Sequence, residues 1–176
     1  MSLLNRLIAI SLLGFFCGCG SLNDVTSMVE QTDLDTLEFW AKLQGVQYRE
    51  NKSVFQLNQA NLAALKNMNF QNAGTGFSSL AAKHGHAARQ LTSLKSENVD
   101  PIAVEYRDRL ADAHEALQHL WQIHAQHLEK NDLSKLNDLK DLKSGRAEYA
   151  MAWKDRYQVM AELKKKYDRD FDFIDN

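Results

Sequence analysis

The chain has little of what staples, bends or interrupts a polypeptide. Its 176 residues include two cysteines, one proline and eight glycines, and both cysteines, Cys17 and Cys19, lie within the first twenty. A secreted domain held by disulfides carries several spaced cysteines, so that class is excluded for the rest of the chain. With Pro101 as the sole proline, the dense turn signals of a small all-β fold are missing as well. No apolar run approaches the roughly 20 residues needed to cross a membrane. Neither charge sign dominates: 21 lysines and arginines face 23 acids, for a net charge of −2. That balance is neither a nucleic-acid footprint nor a polybasic membrane patch. Catalytic signatures are lacking too. The chain has no Glu-x-x-His pair of the di-iron bundles, no His-Glu-x-x-His of zinc hydrolases and no Cys-x-x-Cys-His for covalent haem. Gly74-Thr75-Gly76 has neither the lysine nor the strand of a phosphate loop.

What is present begins at the N-terminus. Arg6 supplies a positive charge, Leu7 to Phe16 is an uncharged and largely apolar stretch, and Cys17-Gly18-Cys19-Gly20-Ser21 closes it with small residues. A charged start, an apolar core of roughly 7–15 residues and a small-residue end mark a secretory signal. Phe16-Cys17-Gly18-Cys19 resembles the lipobox of bacterial lipoproteins, with Gly18 as the small residue before the cut and Cys19 as the lipidated residue. Cys17 fits that role less well because bulky Phe16 precedes it. The resemblance covers the first twenty residues only. It implies that residues 1–18 are removed as a signal peptide, that Cys19 is acylated with palmitate-type chains, and that residues 19–23 form a tether. It also implies attachment to the cell envelope, and to the periplasmic face of the outer membrane in a Gram-negative cell, because Gly20 rather than Asp follows the cysteine. Each buried CH₂ contributes about 0.8 kcal/mol, so two or more acyl chains anchor stably where one is marginal. Cleavage after residue 18 would leave 158 residues and remove Arg6 alone among the charges. That length suits one domain able to bury a core without metals or disulfides.

Alanine, leucine, glutamine, glutamate and lysine are plentiful, and all are good helix formers. The expected fold is all-α: an up-down helical bundle of four or five helices over residues 24–167, followed by an acidic-aromatic tail at 168–176. A first helix is expected over about 24–48, with a break near 32–35, where Thr32-Asp33-Leu34-Asp35 resembles a fresh cap. Arg49-Glu50-Asn51-Lys52 reads as a linker, and Ser53-Val54-Phe55-Gln56 as a capping box that opens a second helix. Asn72-Ala73-Gly74-Thr75-Gly76 reads as a loop. Phe77, Leu80, Ala81, His84, Ala87, Ala88, Leu91 and Leu94 then fall at three- and four-residue steps and form a one-sided apolar stripe. Asp100-Pro101 opens the best-marked helix, since Asp caps and proline suits the first helical position. Tyr106, Leu110, Leu117 and His124 sustain a seven-residue rhythm along it until Asn131-Asp132. Leucines from Leu133 to Leu142 suggest a short irregular helix ending at Gly145, and a last helix runs from about 146 to 167. Trp40, Trp121 and Trp153 are expected as core or near-core fillers.

Six histidines are the only suggestive chemical set. His124 and His127 are three residues apart on one helical face, and His84 lies on the stripe of another helix. These three are the candidate ligands of a buried metal or haem. His114 sits on the flank of its stripe, and His86 and His119 fall toward solvent. The leading expectation is a lipid-anchored, non-enzymatic interaction or structural module that needs no cofactor or nucleic acid and contacts another envelope protein. A metal- or haem-binding bundle is the alternative. Phe171, Phe173 and Ile174, set among acids, suggest either a docking tail or a disordered end.

Overall fold

The computed structural model describes residues 22–130 and 139–171. They form four helices: α1 over Leu22–Lys66, α2 over Phe70–Thr92, α3 over Pro101–Glu129 and α4 over Leu139–Tyr167. Among the described residues there is no strand, and no helix is long and apolar enough to cross a membrane. Successive helices run antiparallel. Asn61 of α1 lies against Gly76 of α2 near the first turn, and His84 of α2 meets His114 of α3 halfway along. Arg109 of α3 pairs with Asp155 of α4. Gln44 of α1 reaches Met160 and the Phe171 carbonyl, which closes the ring of helices. The fold is the expected all-α up-down bundle, with four helices among the described residues.

Two apolar clusters fill it. One gathers Trp40, Leu43, Tyr106, Leu110, Leu163 and Phe171. The other gathers Phe77, Leu80, Leu117, Trp121 and Leu128. Trp40 tilts against Tyr106 and Trp121 meets Phe77 edge-on, while Trp153 is half-buried beneath the Arg156 guanidinium. All three tryptophans therefore serve the core or its margin.

Several local expectations give way to tertiary packing. α1 is one helix of 45 residues, with no break at 32–35 and no linker at 49–52. Thr32 Oγ1 accepts no cap bond; it donates to the Met28 carbonyl one turn back. Asp33 is buried and pairs with Arg169. Glu50 is buried and Asn51 half-buried, so half of the supposed linker faces inward, and the Ser53 capping box lies in mid-helix. The true turn after α1 is at 67–69, where Met68 adopts a left-handed φ of 54° and Asn69 Oδ1 accepts the Asn72 amide. Gly74 and Gly76 are consequently helical. A Cβ at Gly74 would lie 3.3 Å from the α3 backbone, and one at Gly76 would collide with the Asn61 amide. These glycines permit close helix approach rather than a bend. Gly145 likewise lies inside α4, where a Cβ would strike Leu120. Residues 131–138, including Leu133 and Leu136, lie outside the described residues.

The end of the chain is also corrected. Phe171 is 1% exposed and belongs to the core, brought there by a left-handed Asp168 at φ 58°. Phe173 and Ile174 lie outside the described residues. At the same end Asp100 caps α3 as expected, its Oδ1 accepting from the Ile102 amide, and its own amide donates to Thr36 Oγ1 of α1. Lys166 and Tyr167 of α4 donate to Asp100 Oδ2. Burial would raise the Asp100 pKa, but these donors hold it below the usual carboxylate range. Lys166 thus ties the last turn of α4 to the start of α3.

Candidate functional site

Between the two apolar clusters, all four helices contribute to one buried polar chain. His84 comes from the apolar stripe of α2 and His114 from the buried face of α3, four residues after Leu110 and three before Leu117. Gln47 lies one turn after Leu43 on α1, and Tyr149 one turn after Gly145 on α4. The absent side chain at Gly145 brings α4 toward Leu117 and Leu120. At Gly85 a Cβ would meet Gln118, so this glycine does the same for α2 and α3 beside His84.

Nδ1 of His84 lies 2.9 Å from Nδ1 of His114, and Nε2 of His114 lies 3.0 Å from Nε2 of Gln47. Tyr149 Oη donates within 3.1 Å of Gln47 Oε1 and 2.6 Å of Asn51 Oδ1. The hydrogen-bond pattern assigns the tautomers. Because the Gln47 amide nitrogen donates, His114 Nε2 accepts and its proton sits on Nδ1, directed at the lone pair of His84 Nδ1. His84 then carries its proton on Nε2. Turning the Gln47 amide over reverses the His84–His114, His114–Gln47 and Gln47–Tyr149 bonds and leaves Tyr149 donating to Asn51. In both senses the two rings are neutral.

The surroundings enforce that neutrality. Burial lowers the His84 pKa to about 4, helped by the charge of Arg146. Burial, then the charge on a protonated His84, lowers the His114 pKa to about 3. Tyr149 is pushed upward by burial and by the Glu50 carboxylate, with the Asn51 hydrogen bond acting against them. The facing Nδ1 atoms already hold one proton between them, so an added proton goes to an outer Nε2. A second would set N–H against N–H. The arrangement joins four helices at one level and disfavours protonation of either ring; its histidines are hydrogen-bonded to their neighbours rather than turned toward an open cleft.

The three sequence candidates are not brought together. His84 pairs with His114, whereas His124 lies ten residues further along α3, about 15 Å along the helix axis, and His127 further still. Among the described residues, no group of three or more His, Cys, Asp or Glu side chains could hold a metal ion. The facing Nδ1 atoms of His84 and His114 are in direct hydrogen-bond contact, closer than two ligands on one tetrahedral ion with bonds near 2.1 Å. His86 and His119 are exposed, as expected. Cys19 lies outside the described residues. Sequence reasoning missed Gln47, Asn51 and the role of His114. The available signal was Gln47, a polar residue at a core position of α1, between Leu43 and Val54.

The geometry defines an all-α, up-down four-helix bundle with a polar girdle at mid-height. No protein-family model matches this chain, and no curated protein or solved structure matches it.

Proposed function

We propose that this protein is a lipid-anchored helical module of the bacterial cell envelope that works by binding another component rather than by catalysis. One observation carries the reading. α1 runs unbroken over Leu22–Lys66, 45 residues, into the bundle, and Cys19 stands three positions before Leu22 in the sequence. Its first turns precede the level at which Asp33 meets Arg169, and Met28 there is exposed; in this reading they serve as a helical stalk between an acylated Cys19 and the packed domain. A rigid helix of this kind holds a folded surface at fixed height, about 1.5 Å per residue. The interior supports a binding role as well, since His84, His114 and Tyr149 are committed to one another through Gln47. In this reading the signal peptide ends at Gly18, and the mature protein faces the periplasm from the outer membrane of a Gram-negative cell.

The test is metabolic labelling with a clickable fatty acid, followed by membrane fractionation. The native chain and Cys17→Ala are expected to carry label and sediment with membranes, and Cys19→Ala to lose both. Equal labelling of the native chain and Cys19→Ala would overturn the anchor.

A further inference from the structure

α1 and α4 close the ring of helices differently from the other neighbours. The backbones of α1 and α2, of α2 and α3, and of α3 and α4 come close together, whereas those of α1 and α4 scarcely approach. Long side chains span this seam instead: Tyr149 reaches Gln47 and Asn51, and Gln44 reaches Met160. The chain beyond α4 enters the seam from the end that carries Asp33. Arg169 pairs with Asp33 of α1, Asp170 lies 3.8 Å from Lys164 of α4, and Phe171 turns into the core. The Phe171 carbonyl accepts from Gln44 at 3.1 Å, so the last described peptide group already lies between α1 and α4.

Arg156 stands on α4 one turn before Met160, and it is 9% exposed. Its guanidinium lies 3.9 Å from the centre of the Trp153 ring and 4.5 Å from that of Tyr157. Nη2 donates to Tyr157 Oη at 2.6 Å, while the buried Nε has no hydrogen-bond partner. Asp155, beside it in sequence, pairs with Arg109 of α3. Among the described residues no carboxylate lies within ion-pair distance of Arg156. Aromatic faces attract a cation but leave the in-plane N–H groups of a guanidinium unsatisfied. Arginine is rarely buried so deeply without an acid, because an unpaired buried charge gives up its hydration for too little in return.

We infer that Asp172, which follows Phe171 directly, is the ion-pair partner of Arg156, and that the chain continues from Phe171 as a strap in the α1–α4 seam over Trp153 and Tyr157. An extended chain advances about 3.3 Å per residue and turns successive side chains to opposite sides. Asp170 turns to α4, so an extended path turns Asp172 to α4 as well, about 7 Å further along the seam. The run from Asp33 to Gln44 sets its direction, which leads along α4 from Lys164 toward the start of that helix. Arg156 lies eight residues before Lys164, about 12 Å along the axis, and the reach of the two side chains covers the remainder. The strap then holds α1 to α4 where their backbones do not meet, and it closes Arg156 to acidic segments of other proteins. It goes beyond the binding module proposed above and depends on neither its lipid nor its partner.

Carbodiimide coupling, which joins an amine to a carboxylate in direct contact, tests the pair on the full chain carrying Arg156→Lys. The expected product is an amide between position 156 and Asp172 of the same chain, mapped by tryptic mass spectrometry and lost when Asp172→Asn is added. Coupling of position 156 only to another carboxylate or to another copy, or no coupling, would overturn the inference. Urea unfolding gives a second readout that needs no amine. Arg156→Met and Asp172→Asn are each expected to raise the unfolding constant about tenfold, and the double variant no more than either alone. Effects that multiply to about a hundredfold would overturn the pair, as would a loss of stability confined to Asp175→Asn.

Discussion

His84 and His114 occupy surroundings that oppose a charge on either ring, and this has a measurable cost in acid. Both folded pKa values, about 4 and about 3, lie below the unfolded value of 6.5. Between pH 6.5 and 4 the unfolded chain therefore binds more protons than the folded one, so stability falls as pH falls. Each histidine contributes up to about 1.4 kcal/mol per pH unit in that window. Glu50, Arg146 and Tyr149 face the same site, and of these only the Glu50 carboxylate favours a cation. Urea unfolding at pH 7, 6, 5 and 4 is expected to show this loss. In the double variant His84→Asn/His114→Gln, which keeps hydrogen-bonding atoms near the original positions, the slope should flatten. An unchanged slope would place the titrating groups elsewhere. At this scale the sequence was partly legible. His84 follows from the three- and four-residue period of its stripe. Its partner does not, because whether His114 or His124 meets it depends on the level at which α2 and α3 cross, and no local pattern encodes that.

Helix ends were legible where one residue made its own bond. Asp100-Pro101 opens α3 because the Asp100 carboxylate reaches the Ile102 amide two residues away and proline needs no partner there. Ser53-Val54-Phe55-Gln56 carries an equally plausible local signal, yet the helix runs through it. Val54 and Leu57 pack against the Phe77–Trp121 cluster, and Asn51 bonds Tyr149, so both sides of the supposed junction are fixed by neighbours. The glycines misled for a related reason. Gly74 and Gly76 resemble a turn in sequence, but they serve helix contact, and the turn falls instead at Asn67-Met68-Asn69. Val54→Pro separates the two readings. At the first position of a new helix, proline is tolerated, whereas inside α1 it removes a hydrogen bond and clashes with the preceding turn. The expected cost, measured against Val54→Ala by chemical unfolding, is about 3 kcal/mol or more; a difference below about 1 kcal/mol would indicate a helix start at that point.

At the level of the whole molecule, the bundle is closed at one end by the segment after α4. Tyr167 bonds Asp100, Arg169 pairs with Asp33, and Phe171 fills the core beside Trp40 while Gln44 donates to its carbonyl. Acidic residues around Phe171 made this stretch resemble a solvated tail, because alternating charge hides a single buried ring. Phe171→Ala is expected to cost about 3–5 kcal/mol and to lower the thermal midpoint by more than 5 °C, since 1 kcal/mol corresponds to about 2–8 °C in domains of roughly this size. Calorimetry of the native and variant chains checks this, and an unchanged midpoint would return Phe171 to solvent. The same end of the bundle carries the first turns of α1, and the anchor proposed at Cys19 precedes them in the sequence. The most direct test of that account is the mass of the N-terminal peptide of the protein isolated from its own cell membranes. The account predicts a peptide that begins at Cys19 and carries acyl chains. A mature N-terminus elsewhere, with Cys19 unmodified, would contradict it.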